Sequence, residues 1–474
     1  MNADYRDALL HEDLITPLHD HDEARNSLVA TVPGQPDRVV TPAEAGRIVA
    51  ELRPTPGLHQ VETAPDGPKR VGRRGLLRSG GAGLGALLAA SAGPRLAFAE
   101  AAVARDLLVV IFLRGGIDGL SAVVPVDDPA YYAARSKIGV RPENTFALDD
   151  RFGMNKNLAA LQPMWKAGEL APVVGSGVPG LARSHFDDSM LCERAAPANV
   201  RSGWLGRHLS TSSTSQGTLR AVTIGNATTF SLTTNFETVA TSSIAGFDVK
   251  AWSGVRPQVL RLLDSMYGDV GGGATQAADK TLAAVGSLAS LRGVTHKPAG
   301  GARYPDSDFG RGLAQIAQIA KSGKGLEVAC IDIDEWDMHQ KLGLASSPTD
   351  WFSRKARDLA EGLAALRTDL GSRWKSTTVV TMSEFGRRVR ENGDTGLDHG
   401  TGNLAFVAGG SVNGGKVYGS LPSLSRGNLV AGAVLVTTDY RQALSEIVTK
   451  RLRNGAKLAE VFPGFTPGPA LGIV

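Results

Sequence analysis

"LLVVIFLRGG", residues 107–116, is an unbroken apolar run that stops on an arginine and two glycines. Successive side chains of a strand point to opposite sides, so a run with no polar alternation fits a strand buried on both faces. The stretches 170–177 (LAPVVGSG), 219–226 (LRAVTIGN), 325–333 (GLEVACIDI), 376–384 (STTVVTMSE) and 403–410 (NLAFVAGG) read the same way. Helical periodicity lies between them, at 157–168, 186–195, 255–267, 276–292, 307–322 and 348–371. A last helical pattern, 439–455, ends on Asn454-Gly455, a helix-stop signal. Buried strands alternating with amphipathic helices predict an α/β fold: a doubly wound, mostly parallel sheet covered on both sides.

In such a sheet, ligands sit beyond the C-terminal ends of the strands. Asp118 follows the first strand. Ser184, His185, Asp187 and Asp188 follow the second. "IDIDEWDMHQ" (331–340) places Asp332, Asp334, Glu335, Asp337 and His339 after the fourth. Ser383, Glu384 and Arg387 follow the fifth, and Asp398-His399 precede the sixth. Like charges crowded at the mouth of a buried strand repel, so water or a cation must offset them. Beyond residue 100 the histidines are His185, His208, His296, His339 and His399, and three of them lie beside an acid at a strand end. Imidazole and carboxylate are the usual ligands of zinc and similar ions. The competing reading is a solvated acidic rim with N-capping aspartates.

Composition narrows the class. With 42% hydrophobic and 21% charged residues the chain is of ordinary globular type, and its 474 residues suffice for one large α/β domain. A net charge of +4 without a basic, aromatic-interleaved stripe argues against nucleic acid. No apolar run reaches the ~20 residues that span a bilayer, so no stable membrane span is expected in the mature form. Cys192 and Cys330 form no Cys-x-x-Cys pair; they read as two buried thiols, or as one disulfide if the protein is exported. Walker, HExxH, EF-hand and G-x-S-x-G patterns are absent, and "RGGIDGL" lacks the spacing of a dinucleotide loop. Trp204 and Trp336 read as packed aromatics, and His208 as a partly exposed histidine.

Residues 70–99 have the layout of a signal peptide: Arg70, Arg73, Arg74 and Arg78, then a weakly apolar Gly/Ala-rich run, then Ala97-Phe98-Ala99. Arg73-Arg74-Gly75-Leu76-Leu77 resembles the twin-arginine pattern, which implies the twin-arginine export machinery as a partner and a site of action outside the cytoplasmic membrane. The polar residues 1–69, with His11, His19 and His21, are expected to be a disordered or removed leader. Residues 100–474 are then a single α/β domain.

"FLRGGIDGLSAVVPVDDPAYYAAR", "SHFDDSMLCE", "GWLGRHL", "DEWDMHQ", "TVVTMSEFGRRVREN" and "LDHGTGN" together resemble, in order from Leu107 to Phe465, the exported bacterial domain of unknown function numbered fifteen-hundred-and-one. That family is usually placed in the alkaline phosphatase-like superfamily, with phosphatases and sulfatases. The resemblance implies a divalent-metal site of one or two ions (Zn, Mn, Mg or Ca) held by Asp118, Asp337, His339, Glu384, Asp398 and His399. It implies Ser184 as nucleophile at the start of a helix, and Arg387 or His185 as stabilisers of an anionic substrate. The chain departs from the pattern in its short Asp337-Met338-His339 spacing and in having no third histidine after residue 400. No Cys-x-Pro-x-Arg motif is present, so formylglycine chemistry is not expected. The function so implied is an exported metal-dependent hydrolase of small-molecule or polymeric phosphate or sulfate esters. The alternative is a non-catalytic secreted binding protein that keeps a structural cation site on the same scaffold.

Overall fold

The structure, a computed structural model, describes residues 106–474 apart from 181, 213–218, 226, 234–238, 248–257, 263–272 and 345–346. It also describes three short strands near the N-terminus. The chain divides into two compact units, Met1–Leu96 and Ala97–Val474. In the first, the strands Ile15–Pro17, Leu28–Ala30 and Arg38–Val40 pair antiparallel. The proposed signal, residues 70–99, lies outside the described residues.

The second unit is a mixed α/β body around a nine-stranded sheet. Its strands are β1 (Leu107–Leu113), β2 (Leu170–Gly177), β3 (Ala221–Ile224), β4 (Val239–Thr241), β5 (Val328–Ile333), β6 (Thr377–Met382), β7 (Asn403–Gly409) and the two-residue β8 (Tyr418–Gly419) and β9 (Thr438–Asp439). The spatial order is β4-β3-β5-β1-β6-β7-β2-β8, with β9 also on β2. Every pairing is parallel except those of β7, which runs antiparallel to both β6 and β2. The first strand in sequence is therefore central, flanked by β5 and β6.

All seven residues of β1 are buried. Leu107, Val109, Ile111 and Leu113 enter one hydrophobic cluster, and Leu108, Val110 and Phe112 enter another. Each full burial contributes about 1.5–3 kcal/mol. The first cluster is roofed by α4 (Asp308–Lys321) and α5 (Trp351–Leu370), which bury Leu313, Ile316, Leu359 and Leu363. The second is covered by α1 (His185–Arg194), α2 (Trp204–Thr211) and α6 (Tyr440–Glu446). The sheet is thus large, mostly parallel and clothed by helices on both faces, as the apolar runs require. α3 (Gly273–Arg292) adds Ala284 and Leu288 to the first cluster.

Three details differ from the sequence reading. A small antiparallel sheet of Val123–Pro125, Thr145–Ala147 and Phe152–Asn155 was not anticipated. The last helix does not run to Asn454-Gly455: α6 passes into a π turn at Ile447–Arg451, and the left-handed residue is Arg453 (φ 54°). Asn454 is occupied instead in tying this end to α2, donating to His208 Nδ1 (3.1 Å) and Thr211 Oγ1 (2.9 Å). His208 is fully buried rather than partly exposed. Since its Nδ1 accepts from Asn454, its Nε2–H donates to Glu327 Oε1 at 3.0 Å.

Candidate metal centre

The C-terminal ends of β1, β2, β5 and β6 open on one edge of the sheet. Because β7 is antiparallel, the residues just before it emerge at that same edge. The loops following β1, β2 and β5 and the loop that joins β6 to β7 therefore meet there, and all four contribute to one cluster.

The loop after β1 supplies closeness rather than a ligand. Gly115 (φ 109°) lies so near the β5 loop that a Cβ would sit 2.5 Å from the Asp337 nitrogen. At Gly116 (φ 68°) a Cβ would be 2.7 Å from the Phe385 ring. Only glycine fits this backbone and this gap. Asp118 is buried, and both its oxygens are taken by Arg135, at 2.5 and 2.9 Å. The structure therefore gives Asp118 a guanidinium as partner, in place of the metal expected from sequence.

After β2, the chain turns through Arg183, a non-glycine residue at φ 66°, and enters α1. Asp188 accepts from the Ala182 and Ser184 backbone N–H groups, both at 3.1 Å, and so folds the turn back on the helix. Ser184 is at the helix start, as expected, but its Oγ accepts from Asp187 N–H at 3.4 Å and acts as the N-cap. His185, the first helical residue, points its ring at the sheet edge. Its Nδ1 is 2.8 Å from Glu384 Oε1 and its Nε2 is 3.4 Å from Asp337 Oδ2.

The acids that crowd the end of β5 are mostly offset by the protein itself. Asp332 pairs with Arg114 (2.9 Å) and Glu335 with Lys355 (2.6 Å). Trp336 is buried against Phe352 and anchors the loop. Asp337 is half-exposed and stands amid Arg387 (2.6 Å), His339 Nε2 (3.3 Å), His185 Nε2 (3.4 Å) and His399 Nε2 (3.6 Å). Partial burial opposes its ionisation, but hydrogen bonds from His185 and Arg387 outweigh that and hold the carboxyl far below the usual range.

The remaining histidines close the cluster. His339 Nε2 is 2.8 Å from His399 Nε2. His399 Nδ1 is 2.8 Å from the Arg183 carbonyl, which can only accept, so Nδ1 carries the proton and the neutral ring aims a lone pair from Nε2. His339 Nδ1 lies 3.6 Å from Asp398 Oδ1. Among the described residues, His185, Asp337 and His399 form one group whose donor atoms all lie within 4.8 Å of one another, and His339 adjoins it.

A cation fits this donor set. In each of the three histidines Nε2 faces the others or Asp337, while Nδ1 faces an oxygen behind it: Glu384, the Arg183 carbonyl or Asp398. This outward support of a metal-facing ring is the usual arrangement around bound ions. With no ion bound, His339 Nε2–H can donate to the His399 Nε2 lone pair at 2.8 Å; a cation would take both lone pairs once the His339 proton moves to Nδ1, on the Asp398 side. At His185 a metal would have to displace a proton that the neighbouring acids hold in place. Burial opposes protonation there, yet Asp337 and Glu384 lift the imidazole to about 9.

Residues assigned from sequence thus separate by role. Asp337, His339 and His399 converge as expected, and His185, assigned to substrate, joins them as the third histidine. Glu384 and Asp398 stand behind histidine rings. Glu384 is buried; its Oε1 accepts from Gly115 N–H and His185 Nδ1, both at 2.8 Å. Burial alone would raise its pKa, but the hydrogen bond from His185 and backbone N–H donors keep it below the usual range. Arg387 is a staple: Nε donates to Gly116 O (2.7 Å), Nη1 to Leu397 O (2.9 Å) and Nη2 to Gly115 O, Trp336 O and Asp337 Oδ1. Its side chain is 1% exposed, so it offers no donor to a substrate, contrary to expectation. Cys192 and Cys330 are buried free thiols, not a disulfide.

No curated protein matches the chain. Residues 105–443, from the start of β1 to α6, match the family described as a protein of unknown function, DUF1501. That span contains every residue of the cluster, and the chain belongs to this family.

Proposed function

We propose that this chain is an exported metal-dependent hydrolase of phosphate or sulfate esters, built on an alkaline phosphatase-like core. The observation that carries the reading is the convergence of His185, Asp337 and His399, whose donor atoms all lie within 4.8 Å of one another, with His339 adjoining them. His185, His339, His399 and Asp337 would hold one divalent ion. Three imidazoles and one carboxylate suit zinc or a neighbouring transition metal better than magnesium or calcium, which prefer oxygen. A single ion is favoured because Asp118 is committed to Arg135, and Glu384 to His185 and Gly115. Such an ion supplies Lewis acidity toward a phosphoryl or sulfuryl oxygen and positive charge for an anionic ester.

The protein's own side chains do the rest. Glu384 and the Arg183 carbonyl fix the His185 and His399 rings. Arg387 binds four backbone carbonyls of three loops and the Asp337 carboxylate, and so sets the spacing between those loops. In this reading Ser184 caps α1 and is not the attacking group. Export is supported by the Arg73-Arg74 signal layout ahead of the domain.

The test is metal analysis of the purified full chain, with aryl phosphates and aryl sulfates assayed on the same sample. About one transition-metal ion per chain and metal-dependent turnover are expected. Bound metal without turnover on either ester class would instead favour a non-catalytic scaffold. No bound metal after incubation with zinc or manganese would end the metal reading altogether.

A further inference from the structure

Beside the histidine cluster lies a cleft of about 490 Å³ whose lining includes His185, Asp337 and Glu384 at one end. Its other wall carries Phe186, Met190 and Phe230, together with Ser189 and the ion-paired Arg114 and Glu193. Phe186 is 84% exposed and Met190 45%, large apolar side chains left open to water next to a polar centre. They are spaced i, i+4 on α1, so they share one face of the helix that begins at His185. The nearby cations are already engaged. Arg114 is paired with Glu193 (2.6 Å) and Asp332 (2.9 Å), and Arg194 lies over the Phe230 ring at 5.7 Å. Apart from the Arg114–Glu193 pair, the cleft therefore sets an ionic end, at the histidines, against an aromatic and apolar wall.

Resting on the hydrolase reading, we infer that the substrate is a small ester of an aromatic or similarly apolar alcohol. Its anionic group lies at the His185–Asp337 end and its apolar group lies against Phe186, Met190 and Phe230. The cleft has the size of common small-molecule sites, which run to roughly 300–1,000 Å³. A sugar phosphate or another polyhydroxy ester would leave this apolar surface uncovered, and is expected to bind less well.

The test is calorimetric titration of the zinc-loaded full chain with phenylphosphonate and methylphosphonate, neither of which can be hydrolysed as an ester. Phenylphosphonate should bind about tenfold tighter, the equivalent of one partly buried ring. The Phe186→Ala/Met190→Ala variant should lose that preference while its methylphosphonate affinity is unchanged; both side chains are exposed, so the fold is not at stake. Equal affinities in the parent chain, or a preference that survives in the variant, overturns the inference and leaves the apolar face to a macromolecular partner. The zinc and manganese titrations that precede these measurements separate the two levels. Failure to bind either zinc or manganese removes the metal reading and this inference with it. Zinc binding without phenyl preference removes only the inference.

Discussion

Asp118 and Arg135 meet as a carboxylate and a guanidinium in a fully buried, two-point ion pair, with nitrogen–oxygen distances of 2.5 and 2.9 Å. Arg135 also donates to the backbone carbonyl of Val389 at 2.8 Å, so the pair binds the start of the domain to the loop after β6. Asp118→Asn leaves a buried guanidinium without its counter-charge. We expect a loss of about 3–5 kcal/mol in urea unfolding, while the metal stoichiometry of the folded fraction is unchanged. A metal-free but fully stable variant would instead make Asp118 a ligand.

Removing a ligand should have the reverse profile. His399→Ala and Asp337→Ala are expected to abolish stoichiometric metal in elemental analysis. His399→Ala should shift the thermal midpoint of the metal-free protein little, because the His399 side chain is 21% exposed and its loss opens no deep cavity. Retention of a full ion in both variants would refute the assignment.

Glu384→Gln tests support from behind the ring. Gln keeps the shape but weakens the bond that orients His185 at 2.8 Å. Changes at such supporting groups typically cost about 10–100-fold in metal affinity. Competition with a chelator of known affinity would read this loss, and an unchanged affinity would remove Glu384 from the site.

Ser184→Ala separates a cap from a nucleophile. Loss of the N-cap should cost about 1 kcal/mol of stability. If our reading is right, kcat on any turned-over ester should stay within a few-fold of the parent. A drop of several orders of magnitude at unchanged metal content would restore Ser184 as the attacking group.

Glu327 gives a pH dependence away from the site. Burial would raise its pKa, but the hydrogen bond from His208 and the charge of Arg220 outweigh it and lower the value from 4.5 to about 2. A carboxyl depressed on folding stabilises the native state fully above its unfolded pKa, and this contribution fades as pH falls from about 4.5 to about 2. The contribution is on the order of 3 kcal/mol. Urea midpoints measured across that window should fall, and Glu327→Gln should start lower and flatten the fall.

The strands of the sheet core were legible because burial on both faces leaves no polar residue in the run. LAPVVGSG was read at 170–177, where β2 lies, and the first run stops one residue before the Arg-Gly-Gly turn. The two-residue strands β8 and β9 carry too little pattern to be seen, and β4 is only three residues long. Within the site, acids and histidines at strand ends pointed to the right edge. What the sequence could not give was the partner of each group. Arg135, buried and seventeen positions beyond Asp118, reads as an ordinary surface arginine, yet it claims that aspartate. Likewise, nothing local tells Glu384, which faces a ring, from Asp337, which faces three. His185 carried one usable signal: a histidine at the first turn of a helix, following a strand, with a glutamate after another strand at the same edge.

The antiparallel course of β7 has a consequence for how the protein matures. His185, Asp337, His339 and His399 come from three separate crossings of the sheet, and His399 stands just ahead of β7, the reversed strand that lies between β6 and β2. A nascent fragment ending before His399 lacks the quartet. Occupancy of the centre would therefore report that the chain has been made at least through His399, and shorter molecules would be distinguishable by their inability to retain an ion.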